Sequence, residues 1–170
     1  MKSLFLSIFL CISFNLFAQQ KDWKSHKTAK YQIQYPSNWI FAGGDLYIDF
    51  FLIAQLESDL DTFKENISLK SHNYKGTKMT LDCFVNDSVN QIESYIKDAK
   101  IIENKLIKNG KKPYHKVIYQ NSASNRNLKI LKYYWMVEEK IYVLTFTAEA
   151  SVYESYAEQV NQIFKNFKIL

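Results

Sequence analysis

Leu128-Lys129-Ile130-Leu131-Lys132-Tyr133-Tyr134-Trp135-Met136-Val137, Glu138-Glu139-Lys140 and Ile141-Tyr142-Val143-Leu144-Thr145-Phe146-Thr147-Ala148 form the stretch that sets the architecture. Two runs rich in β-branched and aromatic residues, joined by a short polar link, spell two paired strands. The period then changes. Ser151-Val152-Tyr153-Glu154 has the form of a capping box, in which a hydroxyl and a carboxylate satisfy orphan backbone donors. Val152, Tyr156, Val160, Ile163 and Phe167 follow as the apolar stripe of a last helix.

Working upstream, Ile101–Lys108, Asn109-Gly110 and Lys111–Asn121 predict a hairpin, because Asn-Gly readily adopts the positive φ angles of a tight turn. Ser122–Asn127 reads as a polar turn. Before this hairpin, Leu81, Phe84, Val85, Ser88, Ile92, Tyr95, Ile96 and Ala99 recur at helical steps, with Thr80 placed as N-cap and Asp82 in the first turn. Cys83 beside that stripe predicts a buried thiol behaving as a small hydrophobe.

Further upstream, Glu65–Tyr74 alternates, and Glu57–Lys64 is an acidic connection. Tyr47–Leu56 is almost continuously apolar and predicts a central strand covered on both faces. Trp39-Ile40-Phe41 starts a strand that stops at Gly43-Gly44-Asp45, and Tyr31-Gln32-Ile33-Gln34-Tyr35 is a strictly alternating strand. Gln20–Lys30 reads as a loose lead-in. About seven strands joined mostly by short turns, with two helices, predict an α+β fold: an antiparallel sheet flanked by helices on both faces.

The beginning of the chain is read as an address. One lysine, the apolar run Leu4–Phe17 and Ala18 before a polar start predict a signal peptide over residues 1–18, cut after Ala18, with an uncleaved anchor as the alternative. Residues 19–170 then form one exported domain, periplasmic or extracellular, with Cys83 as its lone thiol and no internal disulfide. Hydrophobic residues make up 47% of the chain, enough for one packed core and too many for a disordered segment. The net charge of +5 comes almost wholly from lysine, Arg126 being the one arginine. Sites that read phosphate backbones and guanine favour the guanidinium fork, so nucleic acid is not the expected partner.

The order of several segments resembles the PsbP-like and Mog-like superfamily. They are Tyr31–Trp39 with its Tyr35-Pro36-Ser37-Asn38-Trp39 corner, Phe63–Ile67, Tyr142–Ala148, and the C-terminal Ile163–Ile169. That resemblance implies an α/β/α sandwich and a non-enzymatic binding or assembly module. It brings no agreed catalytic residues to transfer.

Candidate sites are few. His26, His72 and His115 have no partner at metal-ligand spacing and read as solvent-facing or locally hydrogen-bonded, so no metal or cofactor is expected. Glu57, Asp59 and Asp61 would share one side of an extended segment, either as a cation site or as a solvated acidic bend. Lys105, Lys108, Lys111, Lys112 and Lys116 surround the Asn109-Gly110 turn, either as a docking patch for an envelope protein or anionic membrane, or as protection against edge pairing. Tyr133 and Trp135 offer an aromatic binding patch or core packing. No nucleophile elbow or phosphate loop is present, and Gly43-Gly44 is a turn. The expectation is an exported interaction module without catalysis. The alternative is a carrier of a small ligand or lipid in an aromatic-lined cleft between sheet and helix, and a hydrolase assembled from distant residues is the third class.

Overall fold

Strand pairing in the computed structural model, which describes residues 22–108 and 112–170, separates the chain into two antiparallel sheets. The signal-peptide reading of residues 1–18, the Asn109-Gly110 turn and Lys111 lie outside the described residues. The smaller sheet joins β1 (Trp23–Lys27), β2 (Tyr31–Pro36) and β10 (Lys168–Ile169) in the order β1-β2-β10. The larger contains β3 (Ile40–Gly43), β4 (Phe50–Ile53), β5 (Asn66–Asn73), β6 (Lys100–Ile107), β7 (Tyr114–Ala123), β8 (Arg126–Val137) and β9 (Lys140–Glu149). Its order is β3-β4-β5-β9-β8-β7-β6. The helices are α1 (Leu81–Tyr95) and α2 (Tyr153–Asn166). Among the described residues the fold is therefore mostly β, with ten strands to two helices.

The stretch Leu128–Ala148 forms the middle of this sheet, with Val137 opposite Lys140 and Leu128 opposite Glu149. Its turn takes positive φ at both Glu138 and Glu139, the geometry that matches strand twist in a two-residue hairpin. Neither residue favours that region, and the turn is braced from outside. The Tyr74 N–H donates to the Glu139 carbonyl at 2.8 Å. The β7–β8 turn is equally tight: Ser124 and Asn125 take positive φ, and Ala123 already pairs with Arg126. The polar turn predicted over Ser122–Asn127 thus shrinks to two residues, because ladder bonds extend into the polar ends of both strands.

Alternate residues of the strands feed two separate apolar clusters. One gathers Leu131, Trp135, Leu144, Phe146 and Ala148 with Ile67 and Leu69, β2's Tyr31, Ile33 and Tyr35, and α2's Val160, Ile163 and Phe164. The other gathers Ile130, Tyr134, Ile141, Val143, Val117 and Tyr119 with α1's Val85 and Ile92. β9 contributes to both, which is why Ile141 through Leu144 are all buried. Removing side chains of this size from water stabilises by roughly 1.5–3 kcal/mol each.

Several local expectations need correcting. The apolar run Tyr47–Leu56 yields only the short β4, next to an edge strand, with Phe51 and Ile53 half-buried. Leu46, Tyr47 and Leu56 lie exposed in the flanking loops, so the run is not a strand covered on both faces. Residues 44–49 instead form a tight loop in which a Cβ on Gly44 would lie 1.6 Å from the Ile48 carbonyl oxygen. The predicted lead-in contains β1, paired along β2 from Trp23–Pro36 to Lys27–Gln32. Cys83 is exposed rather than buried, because α1 turns Val85 and Ile92 inward and leaves Cys83 to the solvent side. Thr80 does cap α1, its side chain accepting from the Cys83 N–H at 3.1 Å. α1 ends at Tyr95, whose ring is exposed, short of the predicted Ala99. No capping box forms at α2: its N-cap is Val152 without a side-chain bond, and Glu154 turns to Lys129 at 2.6 Å.

Candidate functional site

The predicted binding lysines and aromatics that lie among the described residues end up in different environments. Lys105, Lys108 and Lys112 are exposed around the β6–β7 connection, and Lys112 Nζ donates to the Ile169 carbonyl at 3.0 Å. Lys116 pairs with Glu103 at 2.8 Å, which neutralises part of that patch. Trp135 is only 8% exposed, and its ring lies 5.4 Å from that of Phe167. Tyr133 stacks on Tyr114 at 4.4 Å and meets Phe164 of α2 edge-on at 4.8 Å. The aromatic pair is therefore core packing under α2, not an exposed patch, because both rings take the α2 side of β8.

The acidic segment is occupied by its own backbone. Asp61 accepts N–H groups from Phe63 at 2.9 Å and Glu57 at 3.1 Å, and these bonds hold its carboxyl below the usual carboxylate range. Among the described residues no group of three or more His, Cys, Asp and Glu is placed to hold a metal ion. His26 stacks on Phe41 with ring centres 4.0 Å apart, and His115 lies against Asn104. Both are locally engaged.

The sequence gives little sign of the concavity that does form. A cleft of about 530 Å³ opens between α1 and the α1 side of β5, β9 and β8. Its floor is a set of cross-strand rows. In one row Ser68 of β5 stands opposite Thr145 of β9, which stands opposite Lys132 of β8. In the next, Lys70 stands opposite Val143, which stands opposite Tyr134. α1 supplies the wall with Phe84, Asp87, Ser88 and Gln91, and Ser88 Oγ shares a 2.9 Å hydrogen bond with the Tyr134 hydroxyl. Burial pushes the Tyr134 phenol up, so it stays protonated near neutral pH.

Two lysines, Lys70 and Lys132, and one carboxylate, Asp87, set the charge of the cleft. Burial pushes the Lys132 ammonium down from the usual lysine range, and the neighbouring Lys70 charge pushes it further. Its nearest compensation is the Tyr119 ring, with Nζ 5.6 Å from the centroid. Ion pairs among the described residues engage Lys116, Arg126 and Lys129, and neither cleft lysine belongs to one. Burial, helped by Lys70 and opposed by Asp49, also lowers His72, which keeps that ring neutral at pH 7. The arrangement is suited to hold a ligand by charge, hydroxyl groups and ring faces. A second hollow, of about 410 Å³, lies between α2 and the β2–β3 corner and is lined mainly by polar side chains such as Asn38, Glu158 and Gln162.

Comparison with solved structures now bears on the fold. The chain superposes on the solution structure of cyanobacterial PsbP from Synechocystis with a TM-score of 0.67 at 14% identity, over 88% of this chain and 93% of that one. The fold is PsbP-like. A second PsbP-like neighbour is LpqN of Mycobacterium tuberculosis, a protein involved in cell envelope biogenesis. It gives a TM-score of 0.65 at 9% identity, covering 86% of this chain and 90% of LpqN. A Pseudomonas aeruginosa protein of unknown function follows with a TM-score of 0.59 at 10% identity, over 84% and 94% of the two chains. No family model matches the sequence, and no curated protein matches it. The resemblance carried by Tyr31–Trp39 and Tyr142–Ala148 is thus seen in three dimensions, at identities that speak for the fold alone.

Proposed function

We propose that this chain is an exported, non-enzymatic binding module of the cell envelope, and that it binds a small ligand in the cleft between α1 and the large sheet. The carrying observation is the pair Lys132 and Lys70, two cations converging in one cleft without an ion-pair partner among the described residues. Two like charges held side by side in a half-buried cleft repel, and a bound anion offsets that repulsion. The two apolar clusters are read as the two sides of one α/β/α sandwich, with the cleft on the α1 side where Ser68 of β5 and Thr145 of β9 stay half-exposed. Envelope residence is supported by the apolar leader at residues 4–17 and by the role of the LpqN neighbour.

Native mass spectrometry of the full chain recovered from its own envelope tests this reading. A bound small molecule is expected, and Thr145→Trp, which fills the cleft from its floor, should abolish it. Chain mass alone in the wild type, or a ligand indifferent to Thr145→Trp, overturns the reading.

A second reading, docking to an envelope protein, is favoured by one observation. The exposed Leu46 and Tyr47 and the lysines 105, 108 and 112 flank the same end of the large sheet, at its two edges. Cross-linked capture with the full chain checks it: a partner lost in both Tyr47→Ser and Lys108→Glu supports docking, and one retained in both removes this surface from consideration.

A further inference from the structure

Resting on the cleft reading, we infer that the ligand is anionic and presents a phosphoryl group, held between Lys132 and Lys70. The argument begins with the position of Lys132. It sits in the middle of β8, with the buried Val117, Ile130, Tyr134 and Val143 around it on the α1 side and the half-buried Thr145 directly opposite on β9. Lys132 is half-buried there, so its ammonium gives up part of its hydration. Lys70 makes the position worse for Lys132, since two like charges lining one cleft repel. An incoming anion relieves both at once. The carboxylate already lining the cleft, Asp87 on α1, forms no ion pair with either lysine.

The geometry also bears on which anion. Two separate ammonium groups and the hydroxyls of Ser68 and Thr145 in register between their strands present donors from several directions. A phosphoryl group offers close to two charges and three acceptor oxygens, which such a donor set can engage together. A planar carboxylate carries one charge and two oxygens, and leaves one lysine unmatched. The cleft volume of about 530 Å³ exceeds what a bare anion fills and lies in the range of small-molecule sites. Phe84 and Tyr119 provide ring surface for the organic remainder.

The test uses the full chain and three probes at pH 7.5: inorganic phosphate, phenyl phosphate, and vesicles of phosphatidylcholine with or without phosphatidic acid. Phenyl phosphate is expected to bind by titration calorimetry more tightly than inorganic phosphate. Lys132→Met and Lys70→Met should each weaken it by about tenfold or more, the scale of one charge-assisted contact. Lys165→Met, exposed on α2, should change it less than about twofold, because an exposed, distant charge is screened. Vesicle binding that needs phosphatidic acid and is lost in Lys132→Met assigns the phosphoryl group to a lipid headgroup. Phenyl phosphate binding without vesicle binding assigns it to a soluble ester. Lys70→Met serves independently should Lys132→Met fail to fold.

The inference is overturned if no phosphate probe binds, or if binding is indifferent to both lysine variants. If Thr145→Trp removes the native ligand while both lysine variants retain it, the phosphoryl assignment fails and the cleft reading stands. If none of the three variants matters, both fail together.

Discussion

The two sides of the large sheet are made from alternate residues of the same strands and end in opposite states. On the α2 side, Leu131, Tyr133, Trp135, Leu144 and Phe146 meet α2 and the small sheet in a dry aromatic core. On the α1 side, Ile130, Tyr134 and Val143 pack beneath α1, but Ser68, Lys70, Lys132 and Thr145 line an open cleft. The difference lies in how much cover each side receives. α2 works together with β2 and β10, whereas α1 leans mainly on β8 and β6 and leaves Ser68 of β5 and Thr145 and Thr147 of β9 half-exposed. A side closed by two layers can use every ring for stability. A side closed by one short helix retains polar groups that a ligand can engage.

Four measurements can break or sharpen that contrast. The largest effect is expected from Phe146→Ala in the closed core, where Phe146 has no solvent exposure; urea unfolding should show a loss of about 3–5 kcal/mol. A loss under about 1 kcal/mol would mean that this side is not the stabilising one.

On the open side the sign should reverse. Lys132→Met is expected to raise stability at pH 7 by on the order of 1 kcal/mol, the scale of one unmatched buried polar group. The pH dependence follows from the lowered pKa of Lys132. Between that folded value and the ordinary lysine value near 10.5 the unfolded chain holds more protons, so wild-type stability rises with pH. The advantage of Lys132→Met should therefore narrow in thermal melts as the pH climbs through that window. A constant or widening gap would contradict it.

Tyr134→Phe removes the hydroxyl shared with Ser88 at 2.9 Å and should cost about 1 kcal/mol while loosening α1 from the cleft wall. Hydrogen exchange of α1 amides would report that loosening, and unchanged protection would argue against Ser88–Tyr134 as the tether. The smallest effect belongs to Glu154→Gln at the α2 start. Its 2.6 Å pair with Lys129 leaves Glu154 largely exposed, and a loss below about 1 kcal/mol that vanishes in high salt is expected.

Much of the fold is legible in the chain because its signals are local. The alternation of Tyr31–Tyr35, the paired runs Leu128–Val137 and Ile141–Ala148, and the helical periods after Thr80 and Ser151 each bury one side of a nearby segment. β1 was not legible: Trp23-Lys24-Ser25-His26-Lys27 has too little apolar content to declare a strand, and becomes one by pairing along β2 and stacking His26 on Phe41. β10 is two residues long and has no periodicity to read. The run Tyr47–Leu56 misled because apolar content was taken for burial, whereas Gly44 and the tight loop behind it leave Leu46 and Tyr47 exposed.

The cleft is where sequence reading stopped. Lys70 and Lys132 are two lysines among many, and nothing local distinguishes them from solvated ones. They become a site because β5 and β8 flank β9 and point both side chains toward the same helix. By itself the sequence determined the antiparallel strands, the two helices and the PsbP-like order, since periodicity and turn chemistry act over a few residues. Tertiary structure alone decided which lysines share a cleft, because that depends on which strands pair and what the rest of the chain places above them.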